Sequence, residues 1–134
     1  MIVFVGCGKK KKHAPCKAKE MYIGNLFKAA YKYAEQQGGK IYILSAKYGL
    51  LDPEEVIEPY NVTLAGSTKA EQKKWAAKVY KQCIARNINF SEPVMFLCGE
   101  SYRKYLIQVF RSWYVPLVHF GLGEQISWLK KHTN

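Results

Sequence analysis

Short apolar runs alternate with helical stripes along this chain, and the alternation predicts its elements. Ile2–Val5 is an uninterrupted apolar run, which suits a central parallel strand buried on both faces. Asn25 stands as an N-cap for a helix to Gln37. Leu26, Phe27, Ala30 and Ala34 form its stripe, and Gly38-Gly39 stops it. Ile41–Leu44 predicts a second strand. Residues 49–66, with Pro53, Pro59 and Gly66, predict an irregular connection of a length usually reserved for function. Thr68 and Glu71 have capping-box spacing. Trp75, Ala76, Val79, Tyr80, Cys83 and Ile84 then recur at helical intervals as a core stripe. Pro93–Leu97 predicts a third strand. A helix opening at Glu100 or Ser101 turns Tyr105, Leu106, Val109 and Phe110 inward. Val115–Val118 predicts a fourth strand, and Gly121-Leu122-Gly123 leads into a last helix bearing Ile126 and Leu129.

This order predicts a single α/β domain over residues 1–134, a three-layer fold with a mainly parallel four-stranded sheet and helices on both faces. The turns after the four strands then share one edge, the edge where open α/β sheets bind ligands. Ile41–Leu44 empties there into Ser45-Ala46-Lys47-Tyr48-Gly49, and Tyr60 follows downstream.

Each of these residues carries a functional and a structural meaning. Gly6-Cys7-Gly8 followed by Lys9–Lys12 offers N–H and ammonium groups to an anion, although it lacks the Ser or Thr of a phosphate loop. The lysines read equally as a solvated charge run. Lys47 can meet a phosphate as a point charge. Tyr48 and Tyr60 offer faces for stacking a base, and Tyr60 reads as readily as a core tyrosine. Ser45 can bond a phosphate or a base edge, or hold its turn. Glu100 is the best-placed carboxylate for positioning water, and it equally complements a helix dipole. Cys7 is a nucleophile if the lysines lower its pKa, and otherwise a small residue in a tight turn.

Composition narrows the class. The net charge of +11, from 21 basic and 10 acidic residues, points to a polyanionic partner, and an aromatic share of 14% makes nucleic acid the favoured one. A hydrophobic share of 49% supports a real core. No apolar run is long enough to span a bilayer, and Met1–Gly6 lacks the basic leader of a signal peptide. A cytoplasmic protein without membrane partners is expected, in a bacterium or in the host cell if phage-encoded. Cys83 and Cys98 read as buried small hydrophobes, with disulfides not expected. Cys7, His13, Cys16 and Cys98 match no standard zinc spacing, so neither metal nor cofactor is expected.

Several segments together resemble a known group. They are Gly6-Cys7-Gly8-Lys9, Ala18 with Tyr22 and Phe27, Leu44-Ser45-Ala46-Lys47-Tyr48-Gly49-Leu50, and Ile57 with Pro59-Tyr60 and Leu64. Cys98-Gly99 with Tyr102, and Gly121 with Gly123, Gln125 and Trp128-Leu129, complete the set. They resemble a family of small phage and bacterial proteins that look related to the peroxide-stress protein YaaA. The YaaA-like group is similar in fold to uracil-DNA glycosylases and to a domain of archaeosine synthase. The resemblance implies a base, nucleotide or nucleic acid as ligand. Glycosylases of that fold place an Asp or Asn after the first strand and a His on a later loop. Here the first loop carries Cys7 and lysines instead, and His119 stands where it could take the second role.

The expected site therefore comprises Cys7, Gly8, Lys9, Tyr22, Ser45, Lys47, Tyr48, Gly49 and Tyr60, with Gly99, Tyr102, Gly121 and Gly123 from the later turns. Glu100, Ser45 and His119 are its candidate catalytic residues. The first functional reading is a protein acting on a nucleobase or nucleic acid, DNA ahead of RNA, which processes or cleaves a modified base in the manner of a DNA N-glycosylase. The alternatives are a non-catalytic nucleic-acid-binding module and a nucleotide-binding accessory protein.

Overall fold

In the computed structural model, which describes residues 1–134, the chain opens with β1 (Ile2–Gly6), β2 (Cys16–Lys17), α1 (Ala18–Met21) and α2 (Asn25–Glu35). It continues with β3 (Lys40–Ser45), β4 (Gly49–Leu51), β5 (Val56–Ile57) and α3 (Lys69–Ala85). It closes with β6 (Val94–Leu97), α4 (Glu100–Arg103), a 3-10 turn at Ile107–Val109, β7 (Trp113–Tyr114) and α5 (Leu122–Lys131).

The apolar runs occupy the middle of the sheet. Its order is β4-β3-β1-β6-β7. β1 pairs in parallel with β3 and β6, which places Phe4 between Tyr42 and Phe96. Val3, Phe4 and Val5 are fully buried. Alternation divides the core in two. Val3, Val5 and Ile43 pack with Phe27, Ala30 and Ala34 of α2 and Leu129 of α5. Phe4, Leu44 and Phe96 pack with Trp75, Val79 and Cys83 of α3. Each fully enclosed large side chain among them stabilises the fold by on the order of 2 kcal/mol.

The sheet has five strands rather than the expected four, and it is mixed. β4 turns back from β3 and pairs with it antiparallel, Ser45 opposite Gly49. The fourth predicted strand is also displaced. β7 is Trp113–Tyr114, parallel to β6, because Pro116 has no N–H with which to continue a ladder through Val115–Val118. That segment forms a turn instead, Val118 N–H donating to the Val115 carbonyl at 3.3 Å, and it buries Leu117. Within the long connection, β5 pairs antiparallel with β2.

The helices follow their capping chemistry. Thr68 and Glu71 form the reciprocal capping box of α3. Its buried face is narrower than expected: Trp75, Ala76, Val79 and Cys83 are enclosed, whereas Tyr80 and Ile84 are exposed. Asn25 is the first helical residue of α2, and the N-cap is Gly24. The helix predicted after β6 breaks after one turn. It spans Glu100–Arg103 behind its N-cap Gly99, and the chain then passes into the 3-10 turn. Leu106 and Phe110 are still buried. No helix is long and apolar enough to cross a membrane.

Candidate functional site

The carboxyl end of β3 is tied down by hydrogen bonds. The Ser45 carbonyl accepts from Trp75 Nε1 at 2.9 Å. Its Oγ accepts the N–H groups of Lys47 and Tyr48, at 3.2 and 3.0 Å, and donates to Tyr60 Oη at 2.8 Å. Tyr60 Oη lies 2.7 Å from Tyr22 Oη. Three hydroxyls carry three protons, and two O···O links join them. One phenol proton of the Tyr22–Tyr60 pair therefore has no acceptor within the chain.

Burial dominates the acidities here. It pushes Tyr22 up to about 12, and it raises Tyr60 and Tyr102 in the same direction, with the Cys7 thiol adding to the shift of each. These phenols are neutral donors and acceptors at physiological pH. Burial also pushes the Cys98 thiol up to about 12.

The turn after Ser45 fixes Gly49. Its φ is +76°, and a Cβ there would collide with Gln82 Oε1. That oxygen accepts Leu50 N–H at 2.8 Å, and Gln82 Nε2 donates to the Tyr48 carbonyl at 3.0 Å. Gly49 thus seats the turn against α3 rather than facing a ligand. Lys47 is exposed, with its ammonium 5.3 Å from the Tyr48 ring centroid. Tyr48 packs edge-on to Tyr60, centroids 5.5 Å apart.

The basic loop after β1 is built into the fold. Lys12 N–H donates to the Met21 carbonyl at 2.9 Å, and Ile23 N–H donates to the Lys10 carbonyl at 3.0 Å. This bridge sets Lys11 opposite Tyr22. The Lys11 ammonium stands 4.5 Å from the Tyr60 ring centroid and 5.9 Å from that of Tyr22, within cation–π range.

Two cavities open at this edge and share Cys7, Gly8 and Tyr102. One, of about 230 Å³, is mostly apolar, walled by Leu26, Phe27, Leu97 and Leu117 with the Gln125 amide at its border. The other, of about 340 Å³, lies between the basic loop and residues 61–65 and takes in Lys9, Lys11, Asn61 and Thr63. Between them Cys7 Sγ donates to Tyr102 Oη at 3.4 Å. No Asp, Glu or His lines either cavity.

The structure brings part of the expected set together. Cys7, Gly8, Lys9, Gly99 and Tyr102 line one or both cavities, and Tyr22, Ser45 and Tyr60 form a hydrogen-bonded cluster beside them. Ser45 is fully buried and its hydroxyl is engaged in the turn and the tyrosine chain, so it is an anchor rather than a surface group. Glu100 is exposed at the start of α4, and His119 is exposed in the turn before α5; neither lines a cavity. Gly121 caps α5, its N–H donating to Glu124 Oε1 at 3.2 Å, and Gly123 lies on that helix; both are outside the two cavities. Asn61, Thr63 and Gln125 were not expected at the site, and Lys11 was expected only as a member of the basic run. Asn61 directly follows Tyr60, and Gln125 belongs to the segment that carries the resemblance, so both had a signal in the sequence.

A mainly parallel α/β domain with a basic recess, walled in part by Tyr102, at the carboxyl ends of its strands is the class that this geometry defines. The chain belongs to a family of unknown function, DUF6884, whose profile matches residues 2–131. It is similar to the uncharacterized protein YfjM of Bacillus subtilis strain 168, 27% identical over 134 residues that cover 95% of this chain and 81% of that protein. No solved structure matches it.

Proposed function

We propose that the recess binds a base-containing polyanion, either a nucleotide or a nucleotide unit of nucleic acid, DNA ahead of RNA. The observation that carries this reading is the pairing of an apolar, aromatic cavity with a basic one across a common wall of Cys7, Gly8 and Tyr102. A base needs an apolar slot with a few polar groups for its edge; Gln125, whose Nε2 donates to the Phe120 carbonyl at 2.9 Å, offers its Oε1 for that purpose. Charge outside the recess supports the same partner. Of the 21 Lys and Arg residues, only Lys17, Lys19, Lys40 and Arg86 pair with a carboxylate. The rest have no carboxylate partner, and their charge attracts a phosphate backbone.

The second reading is an enzyme that processes or cleaves a modified base in the glycosylase manner, as the resemblance to the YaaA group implies. One observation favours it: a thiol and an unspent phenol proton stand beside the cavities. The lack of a carboxylate in either lining favours the binding reading.

Labelled single- and double-stranded DNA titrated across a salt series, with each mixture analysed by mass spectrometry, tests both. Binding with a steep salt slope and competition by nucleotides is expected. A released or altered base would establish the enzyme. Failure to bind at low salt would overturn the nucleic-acid arm, and failure to bind nucleotides as well would overturn the reading.

A further inference from the structure

We propose that the cavity of about 340 Å³ between the basic loop and residues 61–65 is a seat for a phosphoryl group, supplied by a nucleotide or by a nucleic-acid backbone whose base lies in the adjoining apolar cavity. The inference rests on the base-binding reading above.

Both walls present donors that the fold leaves unused. The amides of Gly8, Lys9 and Lys11 on one wall, and those of Asn61, Val62 and Thr63 on the other, donate to no protein acceptor. Successive backbone N–H groups that converge on a concavity make an anion site. The first wall is already ordered by the Lys12–Met21 and Ile23–Lys10 bonds. The second is held by Leu64 N–H to Tyr102 Oη at 3.5 Å and Ala65 N–H to Thr63 Oγ1 at 3.1 Å. Little ordering remains when a ligand arrives.

The charges agree. Lys9 and Lys11 line the cavity and no carboxylate does. The Lys11 ammonium donates to the Lys9 carbonyl at 3.2 Å, which leaves two of its three N–H groups for a ligand. Donors on opposite walls suit a tetrahedral group with several terminal oxygens, whereas a planar carboxylate is met best from one side by a single fork. The shared wall of Cys7, Gly8 and Tyr102 puts the phosphoryl seat next to the base cavity, so one nucleotide unit can occupy both.

The test titrates the protein with inorganic phosphate, a deoxynucleoside, deoxynucleoside monophosphates and a dinucleoside phosphate lacking terminal phosphates. Binding is followed by phosphorus NMR and calorimetry. Phosphate is expected to bind saturably. Lys9→Gln/Lys11→Gln is expected to weaken it about tenfold or more, while the charge-matched pair Lys81→Gln/Lys131→Gln, outside this cavity, leaves it within about twofold. Val62→Pro, which deletes one amide donor without altering charge, is expected to weaken it several-fold, with thermal melts confirming the fold of each variant. Equal losses in the two lysine pairs, or no saturable phosphate binding, would overturn the seat. Deoxynucleoside binding without phosphate binding would overturn the seat and leave the base-binding reading. Saturable phosphate binding with no gain from an attached nucleoside would overturn that reading and the seat's assignment to a nucleotide. Tighter binding of monophosphates than of the dinucleoside phosphate assigns the seat to free nucleotides; the reverse assigns it to a backbone.

Discussion

Tyr60 Oη accepts a hydrogen bond from Ser45 Oγ at 2.8 Å, which ties the end of a central strand to the middle of the long connection. The bond closes a partly buried chain that runs from the Lys47 and Tyr48 amides through Ser45 and Tyr60 to Tyr22. Ser45→Ala and Tyr60→Phe each strand polar partners in the interior, so each is expected to cost about 1–3 kcal/mol. Because both cut one network, the double variant should lose clearly less than the sum. Urea denaturation of the four proteins measures the coupling, and strict additivity would contradict a shared chain.

Glycine at 49 answers two demands, and a comparison separates them. Gly49 and Gly66 have φ of +76° and +75°, yet a Cβ at Gly66 meets open space while one at Gly49 meets Gln82. Gly66→Ala should cost about 1–2 kcal/mol from the left-handed conformation alone. Gly49→Ala should cost more, since it also displaces the Gln82 amide that holds Tyr48 and Leu50. Equal denaturation midpoints for the two variants would refute the packing argument.

Alkaline pH should loosen the protein through its tyrosines. Tyr22 is pushed from its ordinary 10.0 up to about 12, and Tyr60 and Tyr102 move the same way. Above pH 10 the unfolded chain releases phenol protons that the folded chain retains. Stability is therefore complete below pH 10 and falls as the pH climbs towards about 12. Denaturation curves at about pH 9 and about pH 11 should show the decline. Absorbance titration should show a subset of the ten tyrosines ionising late. Ten tyrosines titrating together near 10, with unchanged stability, would contradict the buried assignment.

Thiol chemistry gives an independent reading of the same interior. Burial pushes Cys83 and Cys98 up to about 12, so both are protonated and slow at neutral pH. A disulfide reagent should modify the buried Cys83 only as the chain unfolds, after the half-buried Cys7 and Cys16 have reacted; Cys98, half-buried rather than enclosed as expected and set in the wall of the apolar cavity, should fall between them. A nucleotide bound at the shared wall should slow Cys7. Equal rates at all four positions would count against this picture.

Sequence pattern reached the sheet centre and stopped at its borders. β1, β3 and β6 were legible because Ile2–Val5, Ile41–Leu44 and Val94–Leu97 are apolar on both faces. The α3 cap was legible because it is local chemistry. β4 was hidden because Gly49-Leu50-Leu51 lies within a stretch that reads as turn and loop, and its pairing depends on the Ser45 turn. Val115–Val118 misled because its apolar content outweighed Pro116. At the site, a strand-end location and the Cys7–Lys9 and Tyr102 groups could be read from turn positions. The joining of Tyr22, Ser45 and Tyr60 required the tertiary fold, since no periodicity brings residues so far apart in the chain together.

The bonds that pin the basic loop have a consequence for how salt acts on the molecule. Lys9 to Lys12 stand side by side on a backbone fixed at Lys10 and Lys12, so their mutual repulsion persists in the free protein instead of being relieved by unfurling. Added electrolyte eases that repulsion and firms the empty fold, while the same electrolyte competes with any phosphate the loop attracts. Thermal tolerance and ligand retention should thus move in opposite directions as ionic strength rises.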